Sequence, residues 1–336
     1  MKRPLQLLVI LFFSLSVTTS VRSQAPKKYN AAEIQLMLKK LNVLGTALYV
    51  AAHPDDENTR MIAYLANEAL YNTAYLSTTR GDGGQNLVGP EIRELLGIIR
   101  TQELLAARRT DGGEQFFTRA NDFGYSKNPD ETFNTWDREQ VLSDFVWVIR
   151  NYKPDIIITR FPEDHRAGHG HHTASAMLAK EAFEAAGDKK RFSEQLDKVD
   201  VWKPKRWMFN THWWFYGGRD KMDTTELMPI DLGTYNPLLG KSYSEIASES
   251  RSMHKSQGFG STGTRGTQVE YLEFKAGDRP VNGLFEGIDA TWKRVKGGDK
   301  VAIHTENALQ SFDPLNPSLV VSDLIKAYKA LDNIKK

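Results

Sequence analysis

The sequence predicts an α/β fold: a Rossmann-like, mostly parallel sheet with helices on both faces, and a C-terminal extension packed on its rim. Three observations predict it. Short apolar runs alternate with longer segments of helical spacing, the pattern of β-α units. The 336 residues are 40% hydrophobic and 26% charged, ordinary for a globular chain that can bury a large core. Histidines and carboxylates cluster just after two of the apolar runs, where open parallel sheets bind ligands. There is no cysteine. Disulfides, thiol nucleophiles and iron–sulfur sites are therefore excluded, and any metal must be held by His, Asp and Glu.

Residues 1–23 carry Lys2 and Arg3, an apolar run from Leu5 to Val17 broken by Gln6, Ser14 and Ser16, and small polar residues up to Ser23. This is the pattern of a secretory signal peptide, and its apolar run is too short for the ~20 residues that span a bilayer. The expectation is export to the periplasm or the medium without a stable membrane anchor. Removing the segment takes away Lys2, Arg3 and Arg22, so 41 bases face 42 acids where the whole chain has 44 and 42. A nucleic-acid binder normally shows a strong basic excess. The expected partner is a small-molecule or glycan substrate, not a nucleic acid, and the oligomeric state is not legible.

A helix is expected over 31–41. The strand candidates are 46–52, 73–79, 114–119, 155–161 and 206–214, which together give a five-stranded sheet. Between them lie helix candidates at 57–70, with Ile62, Leu65, Ala66 and Ala69 at three- and four-residue steps, at 91–109, at 137–151, and at the alanine-rich 171–186. Beyond about residue 220 the pattern weakens. Helices are expected there over 242–256 and 317–334, where Pro317 suits a first helical position. Residues 24–220 read as the core, and 221–336 as a segment that completes the same domain or forms a small subdomain.

The first strand candidate runs into His53-Pro54-Asp55-Asp56-Glu57. The Gly-x-Gly-x-x-Gly of dinucleotide-binding folds is absent. Three carboxylates in one turn repel one another unless a cation is bound or a helix N-terminus offsets them. A plainer alternative is that Asp55 or Asp56 only caps the next helix. After the fourth candidate comes the stretch Glu163-Asp164-His165-Arg166-Ala167-Gly168-His169-Gly170-His171-His172, with four of the eight histidines. Its plainer alternative is a solvated histidine-rich loop. On a first helical turn, His169 and His172 would share a face and His171 would point elsewhere.

Strands one and four of a doubly wound sheet can be neighbours, so His53, Asp56 and His172 are expected to converge on one cation. Two histidines and a carboxylate with open positions form a catalytic zinc arrangement, in which the pKa of coordinated water falls to about 7. Asp55, adjacent but pointing elsewhere, is placed to take a proton. His169 is placed to hydrogen-bond an oxyanion or protonate a leaving amine. Zinc is the expected cofactor, with other divalent transition metals open.

The segment His53 to Glu57, together with His169-Gly170-His171-His172, resembles the PIG-L / LmbE-like family of metal-dependent N-deacetylases, over about residues 44–220. The resemblance implies zinc on His53, Asp56 and His172, Asp55 as general base, and His169 stabilising the tetrahedral intermediate. The implied reaction removes the acetyl group from an N-acetylated amino sugar or glycoconjugate. Two rivals stay open: a metal-dependent glycan-binding module without turnover, and a metal hydrolase of a non-sugar amide or ester.

Softer similarities extend the site. Thr79-Arg80-Gly81-Asp82-Gly83-Gly84-Gln85 is similar to the family's Gly-rich loop, and Arg100-Thr101-Gln102-Glu103 to its Arg-x-x-Glu helix. These imply Arg80 and Arg100 as substrate-binding candidates; the plainer alternatives are a turn residue and a helix-surface cation paired with Glu103. Asp122 is a pocket candidate or a turn aspartate. Many family members carry Asp between the two histidines, and here that position is His171, with Glu163 or Asp164 the candidate substitute as partner of His169. The aromatics of 212–216, with Trp202 and Trp207, form a sugar-stacking face or core. Residues 250–257 resemble a segment that follows the family's catalytic core, with His254 expected on a helix surface.

Overall fold

A computed structural model describes residues 28–334; the segment read as a signal peptide lies outside the described residues. Its main-sheet strands are β1 (Thr46–Ala51), β2 (Asn72–Ser77), β3 (Glu114–Phe117), β4 (Ile156–Thr159), β5 (Arg206–Thr211), β6 (Met228–Asp231) and β9 (Val269–Gly277). They lie in the order β3-β2-β1-β4-β5-β9-β6. A separate small ribbon pairs β7 (Tyr235–Asn236) with β8 (Lys241–Ser242). The first five strands are parallel, and β9 runs antiparallel to both β5 and β6. The expected sheet of five strands is thus corrected to seven, because residues beyond 220 add two. Only Leu272 of β9 is fully buried, so this strand lacks the continuous apolar run that marks a parallel strand covered on both faces.

β1 shows that double covering. Leu48 and Val50 join one core with residues of α5 (Arg138–Tyr152) and α6 (Gly170–Ala185). Ala47, Tyr49 and Ala51 join the opposite core with residues of α2 (Thr59–Asn67) and α3 (Glu94–Asp111). Among the described residues the remaining α-helices are α1 (Ala31–Lys40), α4 (Pro129–Thr135), α7 (Tyr243–Arg251), α8 (Asp299–Gln310) and α9 (Val321–Asp332). α7 packs on α2 through Tyr243, Ile246 and Ala63, while Leu38 of α1 meets Ala308 and Val320 in a satellite cluster. Arg294 binds both oxygens of Asp155 (2.8 and 2.7 Å), anchoring the C-terminal extension beside the amino end of β4.

Local chemistry sets the helix ends that matter. The Asn58 side chain accepts from Met61 N, so α2 begins at Thr59. Residues 53–57 are therefore left as an irregular turn, and neither Asp55 nor Asp56 is the cap. α3 stops at Gly112, whose φ of 84° suits a residue without Cβ. α7 ends at Arg251, short of the expected 256.

β1 pairs with β4, Ala47 opposite Ile156. The chain moves outward from β1 to β2 and β3 and then returns to β4, so this pair is the switch point. Its carboxyl ends diverge into the crevice where such sheets bind ligands. Among the described residues, no helix is long and apolar enough to cross a membrane.

Candidate metal centre

Two loops supply the site. After β1, the Tyr75 hydroxyl donates to the His53 carbonyl (2.5 Å) and His53 N donates to Asp56 Oδ2 (2.8 Å), which folds the turn back on itself. After β4, Asp164 caps the turn His165–Ala167, and Gly168 at φ 73° reverses the chain into His169, the N-cap of α6.

These loops bring together the expected ligands. His53 Nδ1 lies 3.0 Å from Asp56 Oδ2, and His172 Nε2 lies 3.6 Å from Asp56 Oδ1. One donor atom from each of the three residues falls within 4.8 Å of the others. Ligands about 2 Å from a tetrahedral ion stand about 3.3 Å apart, so the set fits a divalent metal. His172 Nδ1 donates to Ala167 O (3.1 Å), which leaves the Nε2 lone pair free to ligate. The His172 ring also stacks on Phe161, centroids 3.8 Å apart. Burial pushes Asp56 upward, but His172 and His53 outweigh it and hold the carboxyl below its usual range. Burial lowers His172, which favours the neutral ring that can ligate.

The expectation that His171 points away is corrected. His169 has φ −146° and ψ 139°, outside the helix, so the three-residue face rule does not apply to it. Its Nδ1 accepts from His171 N (3.0 Å), and His171 Nδ1 turns inward to 3.0 Å from His53 Nε2. His53, His169 and His171 form a second donor set within the same distance. That set has no carboxylate, and His171 is fully buried against Trp136 and Phe123, leaving no open position at its ring. The set with Asp56 is the better catalytic arrangement. Burial, then the neighbouring His53, lowers His171 to about 2 and His169 to about 4.

Asp122 is buried, with Oδ1 accepting from Gly124 N (2.9 Å); its carboxylate lies 3.7 Å from His171 Nδ1 and 4.0 Å from His53 Nε2. It is both a turn aspartate and a wall of the site. Glu163 and Asp164 do not partner His169: Glu163 pairs with Lys180 (2.9 Å) and Asp164 with Arg166 (2.8 Å).

Asp55 has φ 110°, a conformation that costs a non-glycine residue about 1–3 kcal/mol unless its surroundings impose it. Its N–H donates to Glu57 Oε2 (2.9 Å), its carbonyl accepts from Arg251 (3.2 Å), and its Oδ1 lies 3.1 Å from Arg100 Nη2. Burial, then the charge of Asp56, pushes the carboxyl up to about 6. Arg100 is only 3% exposed and also donates to Gly81 O and Pro54 O, so it is committed to this turn. It does not pair with Glu103, which instead accepts from Ser256. Arg80 is exposed, donating to Thr101 (3.2 Å) and lying over Phe117. Trp207 is core and Trp202 donates to Pro154 O, whereas Trp213 and Trp214 are exposed after the end of β5.

Residues 48–183 match the family model described as PIG-L: GlcNAc-PI de-N-acetylase. Over this region the chain is similar to the PIG-L family. The protein is similar to two curated proteins, both named 1D-myo-inositol 2-acetamido-2-deoxy-alpha-D-glucopyranoside deacetylase. The one from Kineococcus radiotolerans is 26% identical over 181 residues (47% of this chain, 49% of the relative). The one from Thermobispora bispora is 29% identical over 160 residues (42% and 52%). The chain thus spans about half the length of these relatives. Among solved structures, N,N'-diacetylchitobiose deacetylase from Pyrococcus horikoshii aligns over 70% of this chain and 81% of its own, at 15% identity and a TM-score of 0.46.

The PIG-L region contains the whole metal centre but only part of the network behind it, since Ser250 and His254 lie beyond residue 183. Glu57 is fully enclosed and accepts from Arg108 (3.1 Å) and His254 Nε2 (2.9 Å). Arg108 also pairs with Asp111 (2.6 Å), which accepts from Ser250 Oγ (2.7 Å). Burial pushes Glu57 up, but His254 and Arg108 outweigh it and hold it down to about 2. The expected surface place of His254 is corrected to full burial, because α7 has ended and the chain turns its ring onto Glu57. Sequence reasoning missed Glu57, Arg108 and Arg251. Its signals were the third carboxylate of the first turn and the 250–257 segment, but 197 positions separate Glu57 from His254.

Proposed function

We propose that the protein is an exported, metal-dependent hydrolase that removes the N-acetyl group from an N-acetylated amino sugar or glycoconjugate. The observation that carries this reading is the grouping of His53, Asp56 and His172 with the separately held carboxylate of Asp55, at the β1/β4 crevice. A site that only binds has no use for a second carboxylate beside the metal ligands. The PIG-L match supports the reaction class, and the relatives, both named for an acetamido sugar, support the substrate class. Export rests on the pattern of residues 1–23.

His53, Asp56 and His172 would hold a divalent ion, which when bound would supply an acidified water and positive charge to the site. Asp55 accepts the proton as water attacks the carbonyl, and Arg100 holds one carboxylate oxygen so that the other faces the reaction. His169 Nδ1 is occupied by the His171 N–H, so the ring proton sits on Nε2 and donates to the developing oxyanion. The proton on Asp55 passes to the departing amine, giving acetate and a free amino sugar. Trp213 and Trp214 offer ring faces to the sugar.

The test is metal analysis paired with an acetate-release screen on N-acetylated amino-sugar conjugates. Stoichiometric metal is expected, with acetate release that a chelator abolishes and added zinc restores. A protein with stoichiometric zinc that releases acetate from none of these conjugates would overturn the proposal.

A further inference from the structure

We infer that Arg251, outside the PIG-L region, is a positioning residue for Asp55. The inference rests on the reading of Asp55 as the base. At φ 110°, Asp55 holds a conformation its own backbone does not favour, so both flanking peptide planes must be fixed from outside. The plane before it is held at both ends, Pro54 O by Arg100 and Asp55 N–H by Glu57. The plane after it is also held at both ends: Asp55 O accepts from Arg251, and Asp56 N–H donates to His53 O (3.3 Å). Three of these four restraints come from inside the matched region. The fourth comes from the end of α7.

That helix end is itself fastened to α3. Ser250 Oγ binds Asp111 (2.7 Å) and Ala107 O (3.2 Å), and Ser256 donates to both oxygens of Glu103 (2.6 Å each). Arg251 lies between these two anchors, its guanidinium 4.0 Å from the Phe259 ring centroid. Its reach to Asp55 is thus set by the helix it sits on. Removing it releases the carbonyl end of the peptide plane after the base while leaving every metal ligand, the Asp56 N–H bond to His53 O and the Arg100 contact in place. The 250–257 segment, which the metal chemistry does not use, thereby acquires a role in aiming the carboxylate.

The test compares metal-loaded Arg251→Met with wild type. A roughly 10- to 100-fold fall in kcat is expected, since a base misplaced by about 1 Å costs on that order, with KM, bound metal and Tm unchanged. Arg251→Lys should recover part of the loss. In an Asp55→Asn background, Arg251→Met should cost nothing further, because residues acting through one group are not additive. An unchanged kcat, loss of metal, or a full additional loss in that background overturns the inference. If the wild type proves to have no deacetylase activity, the functional proposal fails separately. A crystal structure of Arg251→Met then decides this one: Asp55 leaving φ near 110° upholds it, and Asp55 unmoved overturns it.

Discussion

Asp55→Asn is expected to lower kcat by about 10²–10⁴-fold, the usual contribution of a general base, with metal content unchanged. Asparagine keeps the size of the side chain and an oxygen for Arg100, which lies 3.1 Å from Asp55 Oδ1. It cannot take a proton. Because Asp55 is not in the His53, Asp56, His172 donor set, metal analysis separates its role from that of Asp56, whose replacement should lose the ion. The pH profile gives a second reading of the same residue. Burial and then Asp56 raise the Asp55 carboxyl to about 6. Only the deprotonated form can act as base, so kcat/KM should rise with pH on the acid side. A bound cation draws the midpoint down, placing it between about 4, the ordinary aspartate value, and about 6. Asp55→Asn should abolish that limb. Full activity with the limb intact would remove Asp55 from the chemistry.

Arg108→Met should destabilise the fold by about 3–5 kcal/mol, the cost of leaving buried carboxylates without their cation. Glu57 and Asp111 are both fully enclosed and both bind Arg108 Nη2, at 3.1 and 2.6 Å. Methionine would fill most of the space but supply no donor, leaving His254 as the remaining side-chain partner of Glu57. At roughly 2–4 °C per kcal/mol for a domain of this size class, Tm falls by roughly 10 °C. Arg119→Met is the matched control. Arg119 makes a two-pronged pair with Asp144 (2.9 and 2.7 Å), but its side chain is 55% exposed, and such pairs contribute at most about 1 kcal/mol. Equal melting shifts for the two variants would contradict the buried network.

The parallel half of the fold was legible because its strands are covered on both faces and read as unbroken apolar runs, as in Ile156 to Thr159, all buried. β6 and β9 were not legible. Pro229 interrupts the first, and the second alternates apolar with charged residues along a half-exposed surface. The location of the site followed from the sequence because both motifs sit directly after strands, and the order of strands made those ends neighbours. The inward turn of His171 did not follow, since it depends on His169 adopting an extended N-cap conformation rather than a helical one. The support behind Asp55 was also hidden. Contacts such as Arg251 to Asp55, 196 positions apart, leave no periodic trace in either segment.

The central claim is that two loops meet around one ion with Asp55 beside it. Crystals of the zinc-loaded protein, measured on both sides of the zinc absorption edge, test this most directly. The account predicts one anomalous peak, about 2.0–2.2 Å from His53, Asp56 and His172. A peak held by His169 and His171 instead, or zinc bound elsewhere with these three residues unligated, would contradict it.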